Sequence, residues 1–156
     1  MSKAKLGDII FVQRLGYKHF GVYSGNNKVV HYHKSAVSGK ATILETSISE
    51  FLDGATNFSV FEYSPEIHTK ILKLLTMPNN LFNLGTVLYT LAKTSCIKYY
   101  SPEETVRRAR SKIGETKYFL PTNNCEHFAV WCKTGIKDSS QVNDFIDFIS
   151  KLFGRL

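Results

Sequence analysis

The chain has 156 residues, 43% of them apolar, which suffices for one domain with a real core and shows no disordered or collagen-like bias. Its formal charge of +7 suits anionic membranes, but the Lys and Arg residues are scattered and no zinc finger or RNA-binding sheet motif accompanies them, so no nucleic-acid partner is expected. Three cysteines, an odd number, argue against a disulfide framework and for a reducing, cytoplasmic compartment, and no stretch is long and charge-free enough to span a bilayer.

Met1-Ser2-Lys3-Ala4-Lys5 leads, without the apolar core of a signal peptide, into a buried strand over Asp8 to Gln13 built on Ile9-Ile10-Phe11-Val12. A hairpin follows, with strands over His19 to Tyr23 and Lys28 to Tyr32 joined by Ser24-Gly25-Asn26-Asn27, a composition that tolerates positive φ. Two more strands are predicted over Ala41 to Leu44 and Phe58 to Tyr63. Between them Thr46 to Gly54 reads as a helical turn or loop whose core contact is Ser49-Glu50-Phe51-Leu52.

Ser64-Pro65-Glu66 opens a helix with Ile67, Ile71, Leu74 and Leu75 on its apolar stripe, broken at Met77-Pro78-Asn79-Asn80. Leu81 to Leu91 is apolar but too short to cross a membrane; it reads as a core or partner-binding helix, with a membrane-dipping loop as the sharper alternative. Ser101-Pro102-Glu103-Glu104 is a predicted full capping box, opening a helix that runs to about Ile113 and stops at Gly114. That helix carries the densest basic cluster, Arg107-Arg108-Ala109-Arg110-Ser111-Lys112, read first as a solvated face. A further helix begins at Cys125 behind Asn123 and Asn124 and ends at Gly135. A C-terminal amphipathic helix is expected over about 141 to 154, with Val142, Phe145, Ile149 and Leu152 at helical spacing.

Cys125, Phe128, Ala129 and Cys132 form one helical stripe, and a free cysteine on such a stripe is usually inert packing. What separates Cys125 from Cys132 is its place at the helix start, where unsatisfied N–H groups and the helix dipole favour a thiolate. Glu126 and His127 are expected to face away from this stripe. A nucleophilic thiol needs a base within reach and a third group to orient that base. The hairpin offers His19 on one strand and His31 and His33, two apart and so on one face, on the other. Whether His19 sits beside His31 or His33 depends on a register that the turn leaves open. Such a base predicts a rate that rises through the imidazole range. The C-x-x-C and H-x-x-x-H spacings of zinc sites are absent, as are a phosphate loop and a G-x-S-x-G elbow, so neither metal nor cofactor is expected.

Gly7-Asp8, His19-Phe20-Gly21-Val22-Tyr23-Ser24-Gly25, Val29-Val30-His31 and Asn124-Cys125-Glu126-His127-Phe128 together resemble the lecithin:retinol acyltransferase-like family, which includes the small phospholipase/acyltransferases related to the H-Ras-like suppressors. Tyr100-Ser101-Pro102, Val106 to Gly114, Thr134-Gly135 and Ser139-Ser140-Gln141-Val142 follow the family's order, so the likeness covers about two thirds of the chain. The resemblance implies an α+β, circularly permuted papain-like (NlpC/P60-type) domain with an antiparallel sheet packed against the nucleophile helix. It implies Cys125 as nucleophile, His19 as general base and His31 as the residue that orients His19. The implied reaction takes an acyl group from a glycerophospholipid as a Cys125 thioester and passes it to water, an amine or an alcohol. The implied partner is a peripheral membrane surface, with the protein a monomer. The alternatives are a non-enzymatic interaction module, as in some viral 2A proteins, and a thiol peptidase.

Two departures stand out. Relatives commonly end in a hydrophobic anchor, whereas Asn143 to Leu156 carries Asp144, Asp147, Lys151 and Arg155, so either a native tail lies beyond this sequence or membrane contact is peripheral. The segment from about 66 to 97 is longer than in the small phospholipase members, and it is expected to dock on lipid through Leu81, Phe82, Leu84 and Leu88.

Overall fold

A computed structural model of the chain describes residues 4–61, 98–119 and 123–137. Among these described residues five antiparallel strands form one sheet: β1 (Ile9–Arg14), β2 (Tyr17–Gly25), β3 (Lys28–Lys34), β4 (Ala41–Ser47) and β5 (Ser59–Phe61), in the spatial order β4-β3-β2-β1-β5. Three helices accompany it among the described residues: α1 (Ile48–Leu52), α2 (Pro102–Arg110) and α3 (Cys125–Thr134). This is an α+β architecture. The expected helix from Ser64, the 66–97 insert and the 141–154 helix lie outside the described residues.

Strand alternation divides the core into two layers. Ile9, Phe11, Phe20, Val22, Val30, Tyr32 and Ile43 face α2 and α3, meeting Val106, Ala109, Phe128 and Ala129. Ile10, Val12 and Val29 face the other way and meet Phe51 of α1. Covered on both sides, β1 needs apolar side chains on both, which is why Ile9-Ile10-Phe11-Val12 runs apolar without alternation. The β2–β3 turn closes on Asn26 and Asn27, at φ 50° and 56°, the left-handed pair that matches the twist of a hairpin.

Helix ends follow local chemistry. Ser47 and Glu50 make a reciprocal capping box at α1, with Ser47 Oγ accepting from the Glu50 amide at 3.2 Å and Glu50 Oε2 accepting from the Ser47 amide at 2.9 Å. The box predicted at α2 is only half made. Ser101 Oγ accepts from the Glu104 amide, but the Glu104 carboxylate is held by both arms of Arg107 at 2.7 Å, a charged and bidentate partner that outcompetes a backbone amide. α2 also ends earlier than expected, at Arg110, and tight turns carry the chain to Gly114 at φ 91°.

The basic cluster on α2 is tied down. Arg107 pairs with Glu104, Arg110 with Glu45 and Lys112 with Glu115, while Arg108 lies between the Tyr100 and Trp131 rings at 4.3 and 4.1 Å and donates to the Trp131 carbonyl. Arg110 thereby fastens α2 to β4 and Arg108 fastens it to α3, whereas the Arg107 pair lies within α2 on its solvated face and the Lys112 pair within the turn that follows.

Candidate active site

α3 begins where expected. Asn124 caps it: its Oδ1 accepts from the Glu126 amide at 2.9 Å, the His127 amide at 3.0 Å and His127 Nδ1 at 2.8 Å. This corrects the expectation for His127. It is buried, 6% exposed, and its ring folds back to brace the cap instead of facing away. Nothing in its apolar spacing signalled this, because the force that turns the ring inward is a hydrogen bond to its own cap.

Cys125 occupies the first helical position at 6% exposure. Among the described residues, β2 is paired from Tyr17 to Phe20 with β1 alone, because β2–β3 pairing runs only from Gly21 opposite His31 onward. The thiol arrives at this open edge, where Sγ–H donates to the Lys18 carbonyl at 3.8 Å. Burial pushes the thiol up from its ordinary value, with the charge of Glu126 adding to the effect, against the opposing pull of the Phe20, Glu126 and Cys125 backbone amides. The helix start therefore does not give a resting thiolate, and burial outweighs it. Cys132 is wholly buried core, its thiol pushed far higher by the same cause.

His19 and His31 lie together on the opposite face. His19 Nε2 is 2.9 Å from His31 Nδ1, and the rings meet edge-on with centroids 5.1 Å apart. Continuing the register would set His19 opposite His33, but the strands part after Gly21, and His19 meets His31 on the diagonal. His33 remains 5.9 Å from His31, ring to ring, and half-buried. Phe51 packs against both imidazoles, at 5.2 Å from His19 and 5.1 Å from His31. Gly21 makes room for this: a Cβ there would fall 2.5 Å from Val29 Cγ1 and 3.1 Å from the Phe51 ring.

Beyond His31 stands Thr46, whose Oγ1 is 2.9 Å from His31 Nε2. Burial, aided by the neighbouring Arg14 and His33 charges, lowers His19 to about 4, against a weaker opposing effect of Asp53. Burial, then His19 and His33, lowers His31 to about 3. Both rings are neutral at ordinary pH.

The structure thus joins His19 to His31 directly and brings Cys125 to the backbone beside His19. It makes no thiol–imidazole hydrogen bond, because the α3 stripe and the histidines approach β2 from its two faces. Among the described residues no group of three or more His, Cys, Asp and Glu is set to hold a metal, and no helix is long and apolar enough to cross a membrane.

The family model for lecithin retinol acyltransferase matches residues 2–138. Lecithin retinol acyltransferase of Mus musculus is 29% identical over 157 residues, an alignment that covers 92% of this chain and 60% of that protein. The Rattus norvegicus protein of the same name is 28% identical, covering 94% and 61%. Phospholipase A and acyltransferase 2 of Homo sapiens is 26% identical, covering 99% and 85%. The chain spans about three fifths of the length of the lecithin retinol acyltransferases it matches.

Proposed function

The chain belongs to the lecithin retinol acyltransferase family, and from that membership we propose that it is a thiol-dependent acyl hydrolase or acyltransferase acting on glycerophospholipid esters. The observation that carries this reading is a helix-start thiol at the open edge of β2, one residue from an imidazole that a second imidazole holds at 2.9 Å. Histidine strands that precede the nucleophile helix also fit a circularly permuted papain-like fold. The relatives' names, which pair an acyltransferase with lecithin and retinol or with phospholipase A, favour a lipid ester over a peptide as substrate. Leu15 at 100% exposure and Tyr17 and Phe119 at 59% each put apolar surface in the stretches that flank His19 and Cys125, as contact with lipid would require.

Cys125 is the nucleophile, His19 its base and His31 the group that orients His19. Because burial opposes both the thiolate and the imidazolium, the resting pair is neutral and proton transfer accompanies attack. His19 Nδ1, which makes no hydrogen bond among the described residues, takes the Sγ proton. Sulfur bonds the ester carbonyl carbon, and the carbonyl π pair moves onto oxygen. The Cys125 amide at the unsatisfied start of α3 is positioned to hold that oxyanion. Collapse breaks the ester C–O bond, and His19 returns the proton to the departing lysophospholipid oxygen. Water, an amine or an alcohol then attacks the thioester by the same route in reverse, restoring the thiol. Side chains must close the gap between Sγ and His19 around the edge of β2, a tightening common on substrate binding.

The test is release of lysophosphatidylcholine and fatty acid from phosphatidylcholine vesicles. Wild type is expected to release both and Cys125→Ala, folded by circular dichroism, neither. Equal release by the two proteins would remove Cys125 from the reaction.

A further inference from the structure

Thr46 stands on β4, 9% exposed, behind the two histidines, where bulk water cannot substitute for its hydroxyl. A hydroxyl has one proton and two lone pairs. The Ser47 carbonyl, 3.2 Å from Thr46 Oγ1, can only accept, so it takes that proton. Oγ1 then presents a lone pair to His31 Nε2 at 2.9 Å, and Nε2 must carry the N–H. A neutral imidazole has a single N–H, which leaves His31 Nδ1 as a lone pair. Facing it at 2.9 Å, His19 Nε2 must supply the hydrogen. His19 Nδ1 is left bare.

We propose that Thr46 is a positioning residue: by giving its proton to Ser47 it fixes the tautomers of His31 and His19 and leaves His19 Nδ1 as the base. The Tyr32 carbonyl also lies 3.2 Å from His31 Nδ1, farther than His19. In the reversed chain it would accept from His31 Nδ1–H, so the two chains exchange the Ser47 acceptor for the Tyr32 one, and the tautomer measurement below separates them. The reversed chain would give up the Thr46–Ser47 bond and put a hydrogen on His19 Nδ1, where the proposed chemistry needs a lone pair.

The tautomers can be read without any acyl chemistry, although the purpose assigned to them rests on the functional reading above. Long-range 1H–15N correlations of the full chain labelled in its five histidines are expected to show His19 and His31 protonated on Nε2 near neutral pH. Thr46→Val, close in shape, should lose the single tautomer at His31, and Thr46→Ser should keep it. A wild-type His31 protonated on Nδ1, or an unchanged pattern in Thr46→Val, overturns the proposal. Should the valine variant fail to fold, the wild-type and serine spectra decide. In lysophospholipid release, Thr46→Val should lower kcat by roughly 10- to 100-fold at unchanged KM, with Thr46→Ser recovering it. Tautomers as assigned in a protein without acyl chemistry would defeat the functional reading and leave only the fixing of the tautomers by Thr46 in place.

Discussion

At Cys125 and His19 the low-dielectric surroundings set the protonation states, and the consequence is a broad pH profile. Burial takes His19 to about 4 and raises the thiol. A base that stays neutral down to about 4 keeps the acid limb of kcat/KM near that value, so a flat rate from mildly acidic to mildly alkaline pH replaces the rise through the imidazole range expected from the sequence. Such flatness does not count against His19, because burial has moved its titration below that range. A limb near 6.5 would mean that water reaches the ring. Phe51→Leu tests the cause: it should cost about 1 kcal/mol of stability and, by opening the space beneath the rings, move the limb upward. Much of this site is legible in the residue pattern. Asn124-Cys125 at a helix start and His31 two residues from His33 mark it, and the resemblance chooses His31 over His33. Phe51 is legible as a core contact but not as a neighbour of histidines, and Thr46, expected in the turn after β4 and found within β4, carries no signal until the register places it against His31.

Among the elements, α3 is legible to its ends because capping chemistry is local: Asn124 and Gly135 bound it in sequence and in structure. The α2 box failed because the pattern Ser-x-x-Glu cannot foresee Arg107 competing for Glu104. The same locality makes the α3 cap testable. Asn124→Ala removes the acceptor for two amides and for the buried His127 Nδ1. The expected cost is about 1–2 kcal/mol, a fall in Tm of about 2–8 °C at this chain length. Iodoacetamide labelling of Cys125 in the folded protein should also change, since the cap holds the first turn that carries the thiol. An unchanged Tm would show that the cap is not what fixes the helix start. The opposed faces of the thiol and the histidines follow from alternation along β2 and β3, which turns Phe20 and Val30 toward α3 and His19 and His31 toward Phe51, while the choice of face that α3 covers is a tertiary outcome with no local signature.

On the scale of the whole molecule, buried neutral histidines make stability depend on pH. His19 and His31 have folded values of about 4 and about 3, below the unfolded value of 6.5, so as pH falls the unfolded chain protonates first. Stability is full above 6.5 and declines as pH drops from there toward 3–4. Glu45, Glu50, Glu104 and Glu115, all lowered from 4.5, add their own loss only below that value. The urea midpoint should therefore already fall between pH 6.5 and 5, and His31→Gln should make that fall shallower; equal slopes would show the rings to be solvated. The central claim remains that Cys125 carries the acyl group. The most direct measurement is intact-protein mass spectrometry after incubation with phosphatidylcholine vesicles, for wild type, Cys125→Ala and His19→Ala. A fatty-acyl increment that hydroxylamine removes, absent from Cys125→Ala and sharply reduced in His19→Ala, is the expected result. An increment that persists in Cys125→Ala, or lysophospholipid release that needs neither residue, would contradict it.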